Sequence, residues 1–578
     1  MLYFTLKTFK ERFVLMKTKL IASALALGFL LGGCGTAPGN TDPDSAAGTY
    51  KDAVNIALSD EGITVDGKAI SEDTAQAVYK ACDIVYYEEG HDFTYGEGEE
   101  GEAHSADEAA AHTVVHITQP GTYALSGTLS QGQVAVDLGE EAEEDPNAVV
   151  TLILNDVDIA CTVAPAVIFY NVYECGSADA ETAAYTVDTA AAGANVIIAD
   201  GTENNIEGSH VARIYKDGTQ QLNDEGTEVV DAKKLHKYDA AFYSKMTVNV
   251  AGEEKGDGVL NILADNEGLD SELHLTLNGG VINIESGNDG INTNEDGVSV
   301  TTVNGGEVNI TVNGSTGEGD GIDSNGWLVI NGGTVRASAC SFSGDAGIDS
   351  DMGIYINGGT VEAGGNMLDA IAGGEQTYAV FNFAQRMTGG SEIILRNAEG
   401  EAVYTAVPAN DFSILILAGD HLAPGDYTLW QGETQLAGSS GGGMGGFGGG
   451  KGGMMRPEGE MPEDMPEPQL PEGFEKPEGG FGRQDIVKNE DGTITLPDGT
   501  VVNPEDMPQR DWAGGRQDGM PQPELPDGEA PEMPTPDGFG KGGRGDFGGN
   551  MIAAETSPTF TIVEGGNMFS AVSTYEKA

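Results

Sequence analysis

The sequence predicts an all-β chain organised around a right-handed parallel β-helix, and three observations predict it. First, the runs "LTLNGGVINI" (275–284), "TTVNGGEVNI" (301–310), "LVINGGTVRA" (328–337) and "IYINGGTVEA" (354–363) share one pattern, with Asn278, Asn304, Asn331 and Asn357 spaced by 26, 27 and 26 residues. A fixed period of this size means stacked units, because one unit cannot bury its own apolar side. Second, each unit joins two short runs rich in Val, Ile and Thr, which favour strands, through Asn-Gly-Gly, whose residues tolerate positive φ. Third, no apolar periodicity of helical length interrupts the region. An antiparallel sandwich of hairpins would not require a fixed period.

In chain order, Lys17 and Lys19 precede the apolar run "LIASALALGFLL" (20–31). That run is shorter than the roughly 20 residues that span a bilayer and fits a signal h-region. It ends in "LGGC", which resembles a bacterial lipobox. Residues 1–33 are therefore expected to be a lipoprotein signal peptide, with Met16 as its start and Cys34 as the acylated residue. Residues 34–50 form a flexible tether. The expected location is the extracellular face of a bacterial cell membrane, met only through the lipid. Residues 51–112 hold leading strands, a capping helix within 71–87 and an acidic surface loop at 96–111. The β-helix covers 113–375, its first coils less regular than its last. An antiparallel β-domain begins at 376–438 and ends with a last strand in 556–578. Between them, 439–555 is rich in Gly, Pro, Met and Glu, which predicts a disordered insertion, with a lone hairpin at 489–506. With Cys34 lipidated, Cys82, Cys161, Cys175 and Cys340 remain. They are expected to be structural or free thiols, although Cys161 and Cys175 lie close enough in sequence to pair.

Charge narrows the function. The chain has 93 acidic residues against 28 basic ones, a formal net charge of -65. Nucleic acid is excluded as a partner, since phosphate binding needs clustered Lys and Arg. Other anionic polymers would be repelled unless a metal bridged them.

The acidic residues are nonetheless placed in register. Before, between and after the Asn-Gly-Gly runs stand "DAAFYSK" (239–245), "NEGLDSE" (266–272), "NDGINTN" (288–294), "GDGIDSN" (319–325), "DAGIDSD" (345–351) and "LDAIAGG" (368–374). The second position holds Ala240, Glu267, Asp289, Asp320, Ala346 and Asp369; the fifth holds Tyr243, Asp270, Asn292, Asp323, Asp349 and Ala372. The apolar fourth position points inward. The second and fifth are expected to point outward as two columns of oxygen ligands, rungs about 4.8 Å apart. Carboxylates at that spacing repel, and a hard cation reverses the sign. The expected cation is calcium, which takes six to eight oxygens, held by Glu267, Asp270, Asp289, Asn292, Asp320, Asp323, Asp345, Asp349 and Asp369. Scarce Cys and His argue against zinc or copper. The bland alternative is that each Asp only shapes its Gly-rich turn.

The formula of apolar strand, Asn-Gly-Gly, apolar strand and Asp-Gly-Ile-Asp resembles the calcium-dependent, carbohydrate-binding parallel β-helix family of bacterial cell-surface proteins, related in fold to family-nine pectate lyases. "PGTYALSGTL", "IIADGTENNI" and "EGGNMFSAVS" carry the same resemblance. It implies a monomeric binder of acidic plant polysaccharide such as polygalacturonate or pectin, or of cellulose, with calcium. A lyase would need a Lys or Arg base beside the metal. Between 238 and 375 the basic residues are only Lys245, Lys255 and Arg336, so a non-catalytic binder is the main expectation. A polysaccharide lyase and a calcium-stiffened adhesin are the alternatives. Trp327 and Tyr243 are candidates to stack on sugar rings, and Lys245 to meet a uronate.

Overall fold

The computed structural model describes residues 50–223, 225–235, 238–440 and 556–575, with the backbone of 487–488, 494–495 and 501–502. The expectations for the signal peptide, Cys34, the tether and most of the insertion lie outside these residues. The described chain is all-β, with large, mostly parallel sheets that are not closed.

The period sets the pairing. Strands Val248–Gly252, His274–Leu277, Val300–Val303, Trp327–Ile330 and Gly353–Ile356 pair in parallel as a first ladder. Strands Val259–Ala264, Val281–Ser286, Glu307–Val312, Thr334–Ser338 and Thr360–Gly365 form a second. A third runs through Thr113–Ile117, Gly132–Asp137, Val167–Asn171, Ala240–Ser244, Glu267–Ser271 and Ile291–Thr293. Each chain segment visits the ladders in turn. The strand Val150–Ala160 belongs to both of the first two, bending at Asp156 with φ 56°. In later units the Asn-Gly-Gly turn takes over that corner.

Side chains alternate across every ladder. Leu275, Val303, Leu328, Ile354 and, across the second ladder, Ile282, Val308, Val335 and Val361 are buried on one continuous core. In-register stacking also brings each turn asparagine onto its copy. The Nδ2 of Asn304 donates to Asn278 at 2.9 Å, Asn331 to Asn304 at 2.9 Å and Asn357 to Asn331 at 2.8 Å. A second amide row, Asn283 to Asn261 and Asn309 to Asn283, runs up the outer face of the second ladder at 2.9 Å per step.

The ends are covered. Val78–Ala81 pairs antiparallel with Thr113–Ile117 at the start of the third ladder, and Phe412–Ala418 pairs antiparallel with Thr360–Gly365 at the end of the second. Exposed strand edges invite pairing with other chains, so both caps protect the stack. The antiparallel domain has its own core around Phe381, Phe412, Phe560 and Phe569. Gly566–Thr574 lies between Tyr378–Met387 and Thr434–Ser440, which joins the chain after residue 555 to the strands before 441. In a separate unit, 452–550, Val487–Lys488, Ile494–Thr495 and Val501–Val502 make a small antiparallel sheet.

Two local expectations are corrected. Residues 71–87 contain no helix; Val78 and Tyr79 favour the strand that pairs with Thr113–Ile117. The one α-helix among the described residues, Ala106–Ala109, lies instead in the acidic stretch read as a loop. There Ser105 caps the Glu108 N–H and Asp107 and Glu108 favour the helix N-terminus. Cys82, Cys161, Cys175 and Cys340 are all free thiols.

The acidic stretch is pinned by His210, whose Nε2 lies 2.8 Å from Glu102 and Nδ1 3.2 Å from Asp265. Burial alone would lower its pKa, but hydrogen bonds to Asp265 and Glu102 outweigh that and raise it to about 10. A raised folded-state pKa gives stability that is complete below the unfolded value near 6.5 and is lost as pH rises through about 10. His210→Gln is therefore expected to be less stable than wild type at pH 6 by about 1–3 kcal/mol, with the gap closing by pH 11 in guanidinium melts; a gap that persists at pH 11 would refute the ion pairing. At the turn, Gly333 has φ +76° and a Cβ there would lie 2.7 Å from the Gly306 carbonyl oxygen. Gly333→Ala is expected to cost about 1–3 kcal/mol in urea unfolding. Gly400→Ala, with φ +84° but open space, should cost less.

Candidate functional site

The turn that carries the acidic residues is shaped by glycine at its third position. A Cβ on Gly268 or Gly290 would lie 2.3 or 2.2 Å from a core isoleucine, Ile284 or Ile310. With Leu269, Ile291, Ile322 and Ile348 next, all fully buried, the chain dips inward for two residues. The second and fifth positions then flank the dip on every coil.

The fifth-position column is continuous. Tyr243 pairs with Asp270 and Asp270 with Asn292. The bridge from Ile291 to Ile322, and Asp323 N–H donating to Ile291 at 2.8 Å, set Asp323 on the next rung. Asp349 N–H donates to Ile322 at 2.7 Å, one rung further. The second-position column is stitched by its own carboxylates. Asp289 Oδ1 accepts the Asp320 N–H at 2.7 Å, and Asp320 Oδ1 accepts the Ala346 N–H at 2.5 Å. Asp345 Oδ2 accepts the Gly319 N–H at 2.6 Å and also meets Ser343. So these side chains do shape turns, with part of their oxygen set left over.

The columns are less open than the sequence implied. Asp270 is 0% exposed and Asn292 6%, and Glu267 and Asp289 are buried as well; Asp320, Asp323, Asp345, Asp349 and Asp369 are half-buried. Tyr243 is 1% exposed. It is no sugar platform, because Tyr238 packs edge-on against it and its hydroxyl bonds Glu272. This aromatic cluster closes the N-terminal end of the column. Lys245 sits 3.5 Å from Glu143 and 3.4 Å from Asn171. Trp327 stands half-buried on the first ladder, between Val300 and Gly353. A third column went unread: the seventh positions Asn294, Asn325 and Asp351. Asn294 donates to Asp270 at 2.7 Å and Asn325 to Asp296 at 3.1 Å. The signal was present in the aligned heptads, whose last residue is polar on every coil from 266 to 351.

Crowded carboxylates titrate late. Burial and the neighbouring Glu267 and Asp323 push Asp289 well above the usual carboxylate range, and burial with Asp289 and Asp349 does the same to Asp320. Burial, then Asp369 and Asp351, raises Asp349 to about 7. A pair of full charges 4 Å apart costs about 1 kcal/mol in water and about 4 at an effective dielectric of 20. Protons or a cation would relieve that cost. Its donors are carboxylate and amide oxygens, the set that suits calcium. Two of them, Asn292 Oδ1 and Asp369 Oδ2, are buried without a hydrogen-bond donor, which normally costs about 1–3 kcal/mol. Among the described residues, no three acidic, His or Cys groups are already drawn into a closed metal cluster. The donors fit the ion, and the rungs would have to tighten on it.

Comparison with known proteins bears on the same region. Residues 111–391 match the family model of the carbohydrate-binding domain-containing protein. The match takes in all three parallel ladders and the acidic columns. The chain is also similar to a solved polysaccharide lyase-like protein from C. thermocellum, a gadolinium derivative. That similarity is 19% identity over 56% of this chain and 99% of the other, with a TM-score of 0.30. No curated protein matches.

Asp320→Asn keeps the acceptor for the Ala346 N–H and removes one charge. In chelator at pH 9 it should unfold later than wild type, by about 1 kcal/mol. In calcium it should gain less stability than wild type does. Equal calcium gains in the two proteins would remove Asp320 from the ligand set.

Proposed function

We propose that this chain is a cell-surface, non-catalytic binder of acidic polysaccharide. In this reading its ladders wind as a right-handed parallel β-helix, and calcium on the acidic columns bridges to uronate carboxylates. The carrying observation is the in-register stack Asp270, Asn292, Asp323, Asp349 beside Glu267, Asp289, Asp320, Asp345 and Asp369, in which Asn292 Oδ1 and Asp369 Oδ2 are buried without a donor. The family match over 111–391 supports a carbohydrate ligand. The charge of -65 supports a metal bridge, since the bare protein would repel a polyuronate. Calcium would supply charge neutralisation and shared coordination. The chain's own residues set its spacing along the stack and close one end of it with Tyr243 and Glu272.

The basic residues favour a binder over a lyase. Lys245 lies beside Glu143, and Arg336 is tied to Glu307 at 2.6 Å and to Asn309 at 3.1 Å. Lipid attachment through Cys34 belongs to the same reading and places the chain outside the membrane.

The test is retention of residues 35–578 on immobilised polygalacturonate. Calcium should retain the protein and chelator should release it, and Asp320→Asn with Asp323→Asn should weaken retention at least tenfold. Flow-through in both conditions would overturn the uronate reading. Unsaturated products absorbing in the ultraviolet after long incubation would replace the binder with a lyase.

A further inference from the structure

A second ligand-shaped feature lies away from the acidic columns, on the outer face of the first ladder. There the segment Tyr185–Ala190 stands over the strands and encloses a cleft of about 290 Å³. This is at the small end of ligand sites, which run to about 300–1,000 Å³. One wall is the ladder of Asn278, Asn304, Asn331 and Asn357; Asn249, Thr276 and Thr302 also line the cleft. The segment is anchored rather than draped. Thr189 and Thr276 share a 2.8 Å hydroxyl contact, and Asn249 donates to the Thr189 carbonyl at 2.8 Å.

The chemistry of this wall is periodic. A primary amide has two N–H donors and an oxygen with two lone pairs. Within the ladder each step uses one donor and one acceptor site. That leaves a repeating donor–acceptor pair on every coil, about 4.8 Å apart. Asn249 adds an Oδ1 that is buried without a donor. At the mouth, Tyr185 stacks on Tyr355 with ring centroids 4.2 Å apart and remains 41% exposed. Its ring face can receive an apolar surface, as aromatic side chains at binding sites do. In a chain of this net charge the cleft is lined by a single ionisable acid, Asp188, and no base. Anions and cations are therefore poor ligands. An apolar ligand would strip water from amides and hydroxyls without replacing those bonds.

We propose that this cleft binds a short neutral sugar segment, its hydroxyls bridging the asparagine ladder and one ring face lying against Tyr185. The site is distinct from the acidic columns and needs no metal, so it stands or falls separately from the uronate reading.

The experiment is calorimetric titration of the protein (residues 35–578), in excess chelator, with three neutral tetrasaccharides: a β-1,4-glucan, an α-1,4-glucan and a β-1,4-mannan. At least one is expected to bind, and Tyr185→Ala is expected to weaken it at least tenfold. Asn304→Ala with Asn331→Ala should do the same while thermal melting confirms that the variant is folded. Should the asparagine variant fail to fold, the exposed Tyr185→Ala decides alone. Absence of binding by all three sugars overturns the proposal, as does binding that both folded variants retain. Binding seen only with calcium and lost in chelator also overturns it, and moves the sugar to the acidic columns.

Discussion

Parallel, in-register stacking is the constraint from which the rest of this structure follows. When unit after unit of nearly constant length pairs with its predecessor, every side chain faces a copy of its own position. A position must then be compatible with itself. Isoleucine and valine are, and they build the core. Asparagine is, because its amide donates at one end and accepts at the other, so the turn residues form a chain of hydrogen bonds. Aspartate is not. Burial disfavours each charged carboxylate and every repetition adds repulsion, and in that order they raise the pKa values of Asp289, Asp320 and Asp349.

A column that is not self-compatible is where the proposed cation would act. The same coils that align asparagines without cost align carboxylates at a cost, so the cost is local to one column pair and is not a property of the stack. Some of it is offset internally: Asp289, Asp320 and Asp345 each take a backbone N–H from the adjacent coil. Such bonds use one oxygen of two. Asn294 and Asn292 donate to Asp270 and Glu267, while Asn292 Oδ1 and Asp369 Oδ2 are buried without a donor. Protons supply a partial answer, a divalent cation a fuller one.

Much of this was legible in the sequence, because the period fixes which residues meet. Asn278 to Asn357 announced the turn column, and the heptads announced Asp270, Asn292, Asp323 and Asp349 as neighbours. What could not be read was coverage. Solvent exposure of a column depends on side chains outside the repeat, such as Tyr238 against Tyr243, with Tyr170, from far earlier in the chain, packed on Tyr238 in turn. The same holds for the Tyr185–Ala190 segment, which shares no repeat with the strands it covers. The short helix Ala106–Ala109 was missed for a different reason: four residues give no periodicity, and only its Ser105 cap identifies it. The β-rich stretch at 78–81 was read as helical because its partner, Thr113–Ile117, lies beyond a long acidic loop.

Self-compatibility also explains why the two proposed ligand faces differ in chemistry. The asparagine face is satisfied along the stack and has spare donors and acceptors pointing away from it, which suits a neutral, hydroxyl-bearing partner. The acidic face is unsatisfied along the stack, which suits an ion first and an anionic chain only through that ion. In the second case stability and ligand binding share one free energy, since whatever binds the folded columns and not the unfolded chain stabilises the fold. A glycan that adds coordination to such an ion would then tighten the coils it lies on. A sugar on the neutral face obeys the same linkage, but its amide ladder is complete before any ligand arrives, so the stack does not lean on that ligand.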